Sequence, residues 1–340
     1  MSMVHNKKII IDACYLNSKG GIVILNKILS TIPDEILNKF IIVIDKRISN
    51  LGTLTRFKHQ TIKKNEFSRI YFYIKNYKKI KSILCLSNFP PPVVINTTVF
   101  IYFHNVLFFS SKNKNMSKLE RLKFSLKNVY LKLLNNKDYN WLVQTQIVKN
   151  LLVENNKFRS DKIFISPIFH LNHEKVIEKK DFFIYPTSNI KNKNNENLIR
   201  AFIDASRKID KNLNLYITLD RNELNFKYKL PKSLKIKFLG ELEHYDLINL
   251  ISEAKYLIFP SFEESFGLPL IEAKHNFCII LASDKEYVKE LIDADFYFDP
   301  KNINDISSKI LNSLKIETPT LNNIKVKDHT NKVIERIINV

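Results

Sequence analysis

The chain has 340 residues, 45% of them hydrophobic and 26% charged, and a formal charge of +20. That length accommodates two domains of ordinary size, and that balance excludes a disordered or fibrous chain. No apolar run reaches the roughly 18 residues of a membrane-spanning helix, and the basic start followed by three isoleucines and Asp12 reads as a first strand, not a secretory leader.

The charge is one-sided. Residues 1–170 hold 28 Lys/Arg against 9 Asp/Glu, or +19, whereas residues 171–340 hold 26 against 25, or +1. A basic half of this kind implies an anionic partner, either nucleic acid or an acidic membrane surface. Cys14, Cys85 and Cys278 are scattered through apolar runs. They read as reduced core residues of a cytosolic protein, without metal spacing.

In chain order, residues 8–14 predict a strand, and Gly20 and Gly21 open a helix over 22–30. Strands follow at 40–45, 98–103 and 141–143, the last leading to a helix near 146–154. Residues 166–180 lack periodicity and predict a linker. Beyond them come strands at 182–185, 213–219, 236–239, 256–259 and 279–282. After Lys193, residues Leu198, Ala201, Phe202, Ala205 and Ile209 form a helical apolar stripe. Strands alternating with helices predict an α/β fold with mainly parallel sheets, arranged as two Rossmann-like domains facing across a cleft. The expected boundaries are a first domain over 1–168, a linker over 169–180, a second domain over 181–320, and a C-terminal helix over 321–340 that returns to the first domain.

Two segments of the first half combine basic and apolar residues. In residues 112–137, Leu119, Leu122, Leu126, Val129 and Leu133 make one stripe, ringed by Lys118, Arg121, Lys123, Lys127 and Lys132. Residues 63–81 interleave basic residues with Phe67, Tyr71, Phe72, Tyr73 and Tyr77. Each segment is either an ordinary domain helix with a solvated face or a surface for anionic lipid headgroups.

Sheets of this class bind ligands at the C-terminal ends of their strands. Gly20 and Gly21, His104, Lys193 and Glu264 all fall at such ends. The most informative stretch is 260–273, PSFEESFGLPLIEA, which joins a short strand to a helix. Pro269 suits the first helical position. The amides of Phe266, Gly267 and Leu268 then stand at the positive end of the helix dipole, where phosphate binds. Glu264 and Glu272, with seven residues between them, are placed to take sugar hydroxyls.

This E-x7-E pattern resembles the signature of retaining glycosyltransferases of family 4 (group 1), which have the GT-B fold. The resemblance extends to Phe238-Leu-Gly240, to Phe298-Asp-Pro300, and to a block formed by Tyr185-Pro186, Lys193-Asn194 and Leu198, together covering about residues 181–310. It implies a first domain that binds acceptor and a second that binds a nucleotide-diphosphate sugar, with Glu264 on the donor sugar and Glu272 on the ribose. A histidine at the place of His104, near the donor sugar, belongs to the same pattern. The family commonly has an arginine where this chain has Ser188, and Lys191 is the candidate second charge.

The expected reaction is hexosyl or N-acetylhexosaminyl transfer to a saccharide acceptor, retention of anomeric configuration being implied by the family. The resemblance also implies a lipid-linked acceptor, peripheral attachment to the inner face of the plasma membrane, and O-antigen or capsule synthesis. Negative charge develops on the departing diphosphate, so stabilising it governs the rate. Lys193 and the amides at Phe266 to Leu268 are the candidates, with Ser265 in the same nucleotide-sugar site and Gly20 and Gly21 admitting the ligand to the backbone. No cofactor or metal is expected, and Asp293-Ala-Asp295 reads as structural. A nucleic-acid-binding protein is the competing class. It lacks a recognition motif, so nucleic acid is not expected as a partner. A nucleotide-sugar epimerase of the same fold is a third reading.

Overall fold

A computed structural model describes residues 7–16, 19–109, 118–154, 158–171, 178–224, 228–320 and 323–340. Residues 112–117 of the basic segment, 172–177 of the expected linker and 321–322 lie outside that set. The described chain falls into two compact units: the residues up to His170 together with those from Lys327 onward, and the residues from Leu171 to Val326.

The first unit runs β1 (Lys8–Asp12), α1 (Lys19–Thr31), β2 (Phe40–Asp45), β3 (His59–Ile62), α2 (Glu66–Asn76), β4 (Ile80–Cys85), β5 (Thr98–Phe103), α3 (Lys118–Leu134), β6 (Asn140–Val143), α4 (Gln146–Glu154) and β7 (Ile163–Ile165). Its seven strands are all parallel, in the order β3-β2-β1-β4-β5-β6-β7. Such a sheet is buried on both faces, which is why its strands are near-continuous Ile, Val and Phe runs. Alternation in β1 sends Ile9 and Ile11 into one core, and Ile10 into the other.

The second unit comprises β8 (Lys180–Tyr185), α5 (Asn195–Arg207), β9 (Leu213–Ile217), β10 (Leu234–Phe238), α6 (His244–Glu253), β11 (Ala254–Phe259), α7 (Leu268–His275), β12 (Ile279–Ser283), α8 (Glu286–Leu291), β13 (Phe296–Phe298) and α9 (Ile303–Ser313). Its six strands are also parallel, ordered β10-β9-β8-β11-β12-β13. Leu198, Ala201, Phe202 and Ala205 of α5 are buried as their spacing predicts, while Ile209 lies past the helix end.

The final helix, α10 (Thr330–Ile338), packs in the first unit. Val333, Ile334 and Ile337 enter the core that holds Ile24 and Ile28 of α1. Ser82 Oγ donates to the Ile337 carbonyl at 2.6 Å, and Lys27 pairs with Asp328 at 3.5 Å.

The expectation of an α/β fold built from two parallel, Rossmann-like units holds. Strands β3, β4, β7 and β13 are additions to the predicted set. Residues 63–81, read from sequence as one basic-aromatic segment, divide into α2, a short turn and the start of β4. Phe72 and Tyr73 are core residues, whereas Phe67, Tyr71 and Tyr77 are more than half exposed. Gly52 sits in a 3-10 turn over Gly52–Arg56.

Candidate active site

Both sheets share an order in which successive crossovers depart in opposite directions, between β1 and β4 in the first unit and between β8 and β11 in the second. Ligands of doubly wound sheets bind outside the strand ends at such switch points. Lys193 follows β8 and Glu264 follows β11, so both stand at the second unit's switch point.

Side-chain bonds bring these two loops together. After β8 the chain makes a 3-10 turn over Lys191–Lys193 that ends on Asn194, in the left-handed region at φ 63°. Asparagine tolerates that region better than most residues. Asn194 Nδ2 donates to the Pro260 carbonyl at 3.2 Å and the Pro300 carbonyl at 2.6 Å. Asn192 Nδ2 donates to the Glu263 carbonyl at 2.9 Å, and the Phe262 N–H donates to the Asn192 carbonyl at 2.8 Å. The Lys193-Asn194 block, the 260–273 loop and the Phe298-Asp-Pro300 block thus meet at one asparagine.

Lys193 Nζ donates to Glu264 Oε1 at 2.6 Å, with the two side chains only 19% and 14% exposed. The ammonium also lies 5.8 Å from the centroid of the Phe259 ring. The Tyr185 hydroxyl donates to the Lys193 carbonyl, which holds the backbone of the turn. Lys191, on the same turn, is exposed.

Gly267 precedes α7 at φ 83° and ψ 47°, where any L side chain is strained. A Cβ there would also meet Leu270 Cδ1 at 3.2 Å. The glycine is therefore required by the turn. Leu268 is the first helical residue and Pro269 the second, a shift of one from the predicted start. Proline still fits, because amides of the first turn have no intrahelical partner. Phe266 is buried, and Ser265 is half-buried beside it.

Glu272 is 2% exposed, and its Oε1 lies 2.7 Å from His244 Nε2. Burial opposes the charged form of His244, but the hydrogen bond and negative charge of Glu272 outweigh it and raise the imidazole pKa above its ordinary value. Sequence reasoning misses His244. It begins α6, two elements ahead of the motif, in a stretch whose pattern shows a helix and no chemistry.

His104, Gly20 and Gly21 belong to the first unit. The His104 N–H donates to Asn88 Oδ1 at 2.7 Å, and the Asn88 amide lies 3.4 Å from His104 Nε2. Burial pushes the imidazole pKa down to about 4, so the ring is neutral near pH 7. Gly20 and Gly21 lie in the first turn of α1. A Cβ on Gly20 would meet nothing within 4 Å, so packing in the protein does not demand glycine there.

The Asp293-Ala-Asp295 carboxylates are tied into the fold. Asp295 accepts from the amides of Ile280 at 2.8 Å and Thr320 at 2.6 Å, while Asp293 pairs with Lys325 at 2.5 Å. Among the described residues there is no group of three or more His, Cys, Asp or Glu able to hold a metal. The cysteines are free and buried, and burial holds the Cys14 thiol pKa at about 12.

Residues 169–328 match the family "glycosyl transferases group 1". The chain is 36% identical over 81 residues to the O-antigen chain mannosyltransferase B of Escherichia coli, covering 24% of this chain and 21% of that protein. It is 25% identical over 242 residues to the O-antigen chain mannosyltransferase RfbU of Salmonella typhimurium, covering 68% of this chain and 65% of that one. The matches therefore span less than two thirds of either relative. The Anabaena HepE protein, solved in complex with UDP-glucose, superimposes with a TM-score of 0.67 at 11% identity, over 98% of this chain and 96% of that one, which shows a shared fold. The paired Rossmann-like sheets and the superposition on HepE show a GT-B-type fold, and the second unit is similar to the glycosyl transferases of group 1.

Proposed function

We propose that the protein moves a sugar from a nucleotide-diphosphate donor to a lipid-linked saccharide, with retention of configuration, during bacterial surface polysaccharide synthesis. The observation that carries this reading is the Lys193–Glu264 pair at the switch point between β8 and β11, beside the Gly267 turn that starts α7. The second unit binds the donor. Glu264 takes hydroxyls of the donor sugar and Glu272 takes the ribose. Lys193 and the amides at Gly267 and Leu268 face the diphosphate, so charge developing on the leaving group meets a fixed ammonium and a helix dipole. That arrangement needs no metal. The departing phosphate helps take the acceptor proton on the same face of the sugar. His104 of the first unit is neutral near pH 7 and serves as a hydrogen-bonding group. The names of the two relatives make a nucleotide-diphosphate mannose the first donor to test.

The first unit carries the acceptor and meets an anionic membrane. Leu119, Leu122, Leu126, Val129 and Leu133 of α3 are each 53–74% exposed, although they repeat at a/d spacing. The opposite side of α3 packs inward through Leu131. Phe67, Tyr71 and Ile74 of α2 are exposed in the same way. Apolar stripes flanked by Lys123, Lys127 and Lys132, on a half carrying +19, fit a surface of acidic lipid headgroups. Among the described residues no helix is long and apolar enough to cross a membrane.

The test is incubation with a panel of nucleotide sugars and a short-chain lipid-diphosphate saccharide, followed by identification of the product. A new glycosidic bond with the donor's anomeric configuration is expected, insensitive to chelator. Donor turnover that ignores the acceptor and yields an epimerised sugar would replace transfer with epimerisation.

A further inference from the structure

Glu272 is a carboxylate that the second unit buries and then supports from one side chain. It lies in α7 between Leu270, Ile271 and Ala273, all wholly buried, and its own side chain is 2% exposed. A carboxylate in such surroundings must be met by a donor. Among the described residues the side chain that meets it is His244, whose Nε2 stands 2.7 Å from Oε1. The Glu272 carbonyl is engaged separately, by the Asn276 N–H at 3.1 Å and by Asn276 Nδ2 at 2.8 Å.

The helix that carries His244 has no use of its own for a histidine there. His244 is the first residue of α6, and the residue before it, Glu243, makes no side-chain cap bond. A helix start favours acids and short hydroxyl or amide side chains, and its dipole disfavours an imidazolium. The ring is one-third exposed, so packing does not account for it either. What the position does supply is reach: α6 follows β10, α7 follows β11, and the histidine spans from one helix to the acid of the other. His244 takes only Oε1. Among the described residues Oε2 makes no hydrogen bond within the protein, and it is not sealed from solvent. Its lone pairs are left for a ligand.

We infer that His244 is a positioning residue for donor binding: its bond to Oε1 fixes the Glu272 carboxylate so that Oε2 accepts from a ribose hydroxyl of the nucleotide. The inference rests on the reading of Glu272 as the ribose-binding acid and adds a residue that never touches the reacting atoms. The last torsion of a glutamate has no sharp preference. Without His244 the carboxylate turns, and the acceptor is no longer held in one place. A site built around a fixed acceptor discriminates against an analogue that lacks the hydroxyl. The quantity His244 controls is therefore the preference for ribose over deoxyribose, and not affinity for the diphosphate.

Calorimetric titration of wild type, His244→Leu and His244→Gln with UDP and GDP, each beside its 2′,3′-dideoxy counterpart, tests this. Leucine fills the space without a donor, whereas the glutamine amide nitrogen reaches about as far as Nε2 of the imidazole. Wild type is expected to bind the ribonucleotide more tightly than the dideoxy form. His244→Leu should weaken the ribonucleotide about tenfold and leave the dideoxy Kd almost unmoved, so that the preference collapses. His244→Gln should restore most of it. A wild-type preference retained in folded His244→Leu would overturn the inference. So would equal weakening of both nucleotides, the mark of a residue that merely holds the fold. Two other outcomes strike the underlying reading first and the inference with it. A wild type that binds nucleotide without preferring ribose removes Glu272 from the ribose, and one that binds neither diphosphate removes the donor site itself.

Discussion

Lys193 Nζ and Glu264 Oε1 are 2.6 Å apart across two loops that follow β8 and β11. Neither loop holds its partner through sequence proximity. The pair forms because those strands are neighbours in the sheet and because Asn192 and Asn194 lace the loops together.

Replacing Lys193 or Glu264 by alanine is expected to lower kcat/KM by at least about a hundredfold, the size typical of losing one group that stabilises a leaving-group charge. Circular dichroism should stay native, because the asparagine lacing and the buried β-strands are untouched. Wild-type kcat/KM in both variants would remove these residues from the site.

Gly267→Ala places a Cβ at φ 83° and 3.2 Å from Leu270 Cδ1. The strain of left-handed backbone is roughly 1–2 kcal/mol. The prediction is a lower denaturant midpoint at constant m-value, with donor affinity reduced as the first turn of α7 moves. Equal stability of the two proteins in urea titration would show that the turn relaxes freely.

His244 makes stability depend on pH. Its pKa is raised in the folded protein by Glu272. Its contribution is therefore fully present below the ordinary imidazole value of about 6.5 and is lost as pH rises through the raised value. The difference in Tm between wild type and His244→Asn should be largest in the acid part of that range and shrink toward alkaline pH. A pH-independent difference would mean that the 2.7 Å contact carries no net charge pairing.

His104 acts in the opposite sense. Burial lowers its pKa to about 4, so the folded protein resists protonation that the unfolded chain accepts from about pH 6.5 downward. Its contribution is intact above pH 6.5 and is lost as pH falls toward 4. His104→Asn should flatten the acid limb of the stability profile over that interval, as read by thermal melts.

The double change Leu122→Gln and Leu126→Gln alters side chains that are 57% and 61% exposed. Surface changes of this kind move stability by no more than about 0.5 kcal/mol. Sedimentation with vesicles containing acidic lipid should nevertheless fall severalfold, with secondary structure retained. Unchanged vesicle binding would assign the stripe to another partner.

Much of the donor side is legible in one dimension. Residues 260–273 announce a strand, a glycine turn and a helix in sequence, because glycine and proline have local conformational limits. Strand β4 is hidden, because Ile80–Cys85 begins inside a basic run with no turn residue before it. His244 and Arg69 are hidden for another reason. Each gains its meaning from a carboxylate elsewhere in the fold, Glu272 for one and Asp12 for the other. No local pattern encodes such a pairing.

The one-dimensional pattern alone determined the alternation of strands and helices, the order of the motif blocks and the unequal charge of the two halves. These follow from local periodicity and composition, which act along the chain. Only the tertiary structure decided which ammonium meets Glu264, that the apolar face of α3 is left uncovered, and that Arg69 and Glu66 form an ion pair at 3.9 Å. Strand order sets those distances. It arises from the packing of crossovers on a twisted sheet, a competition among distant segments that no short window of sequence contains.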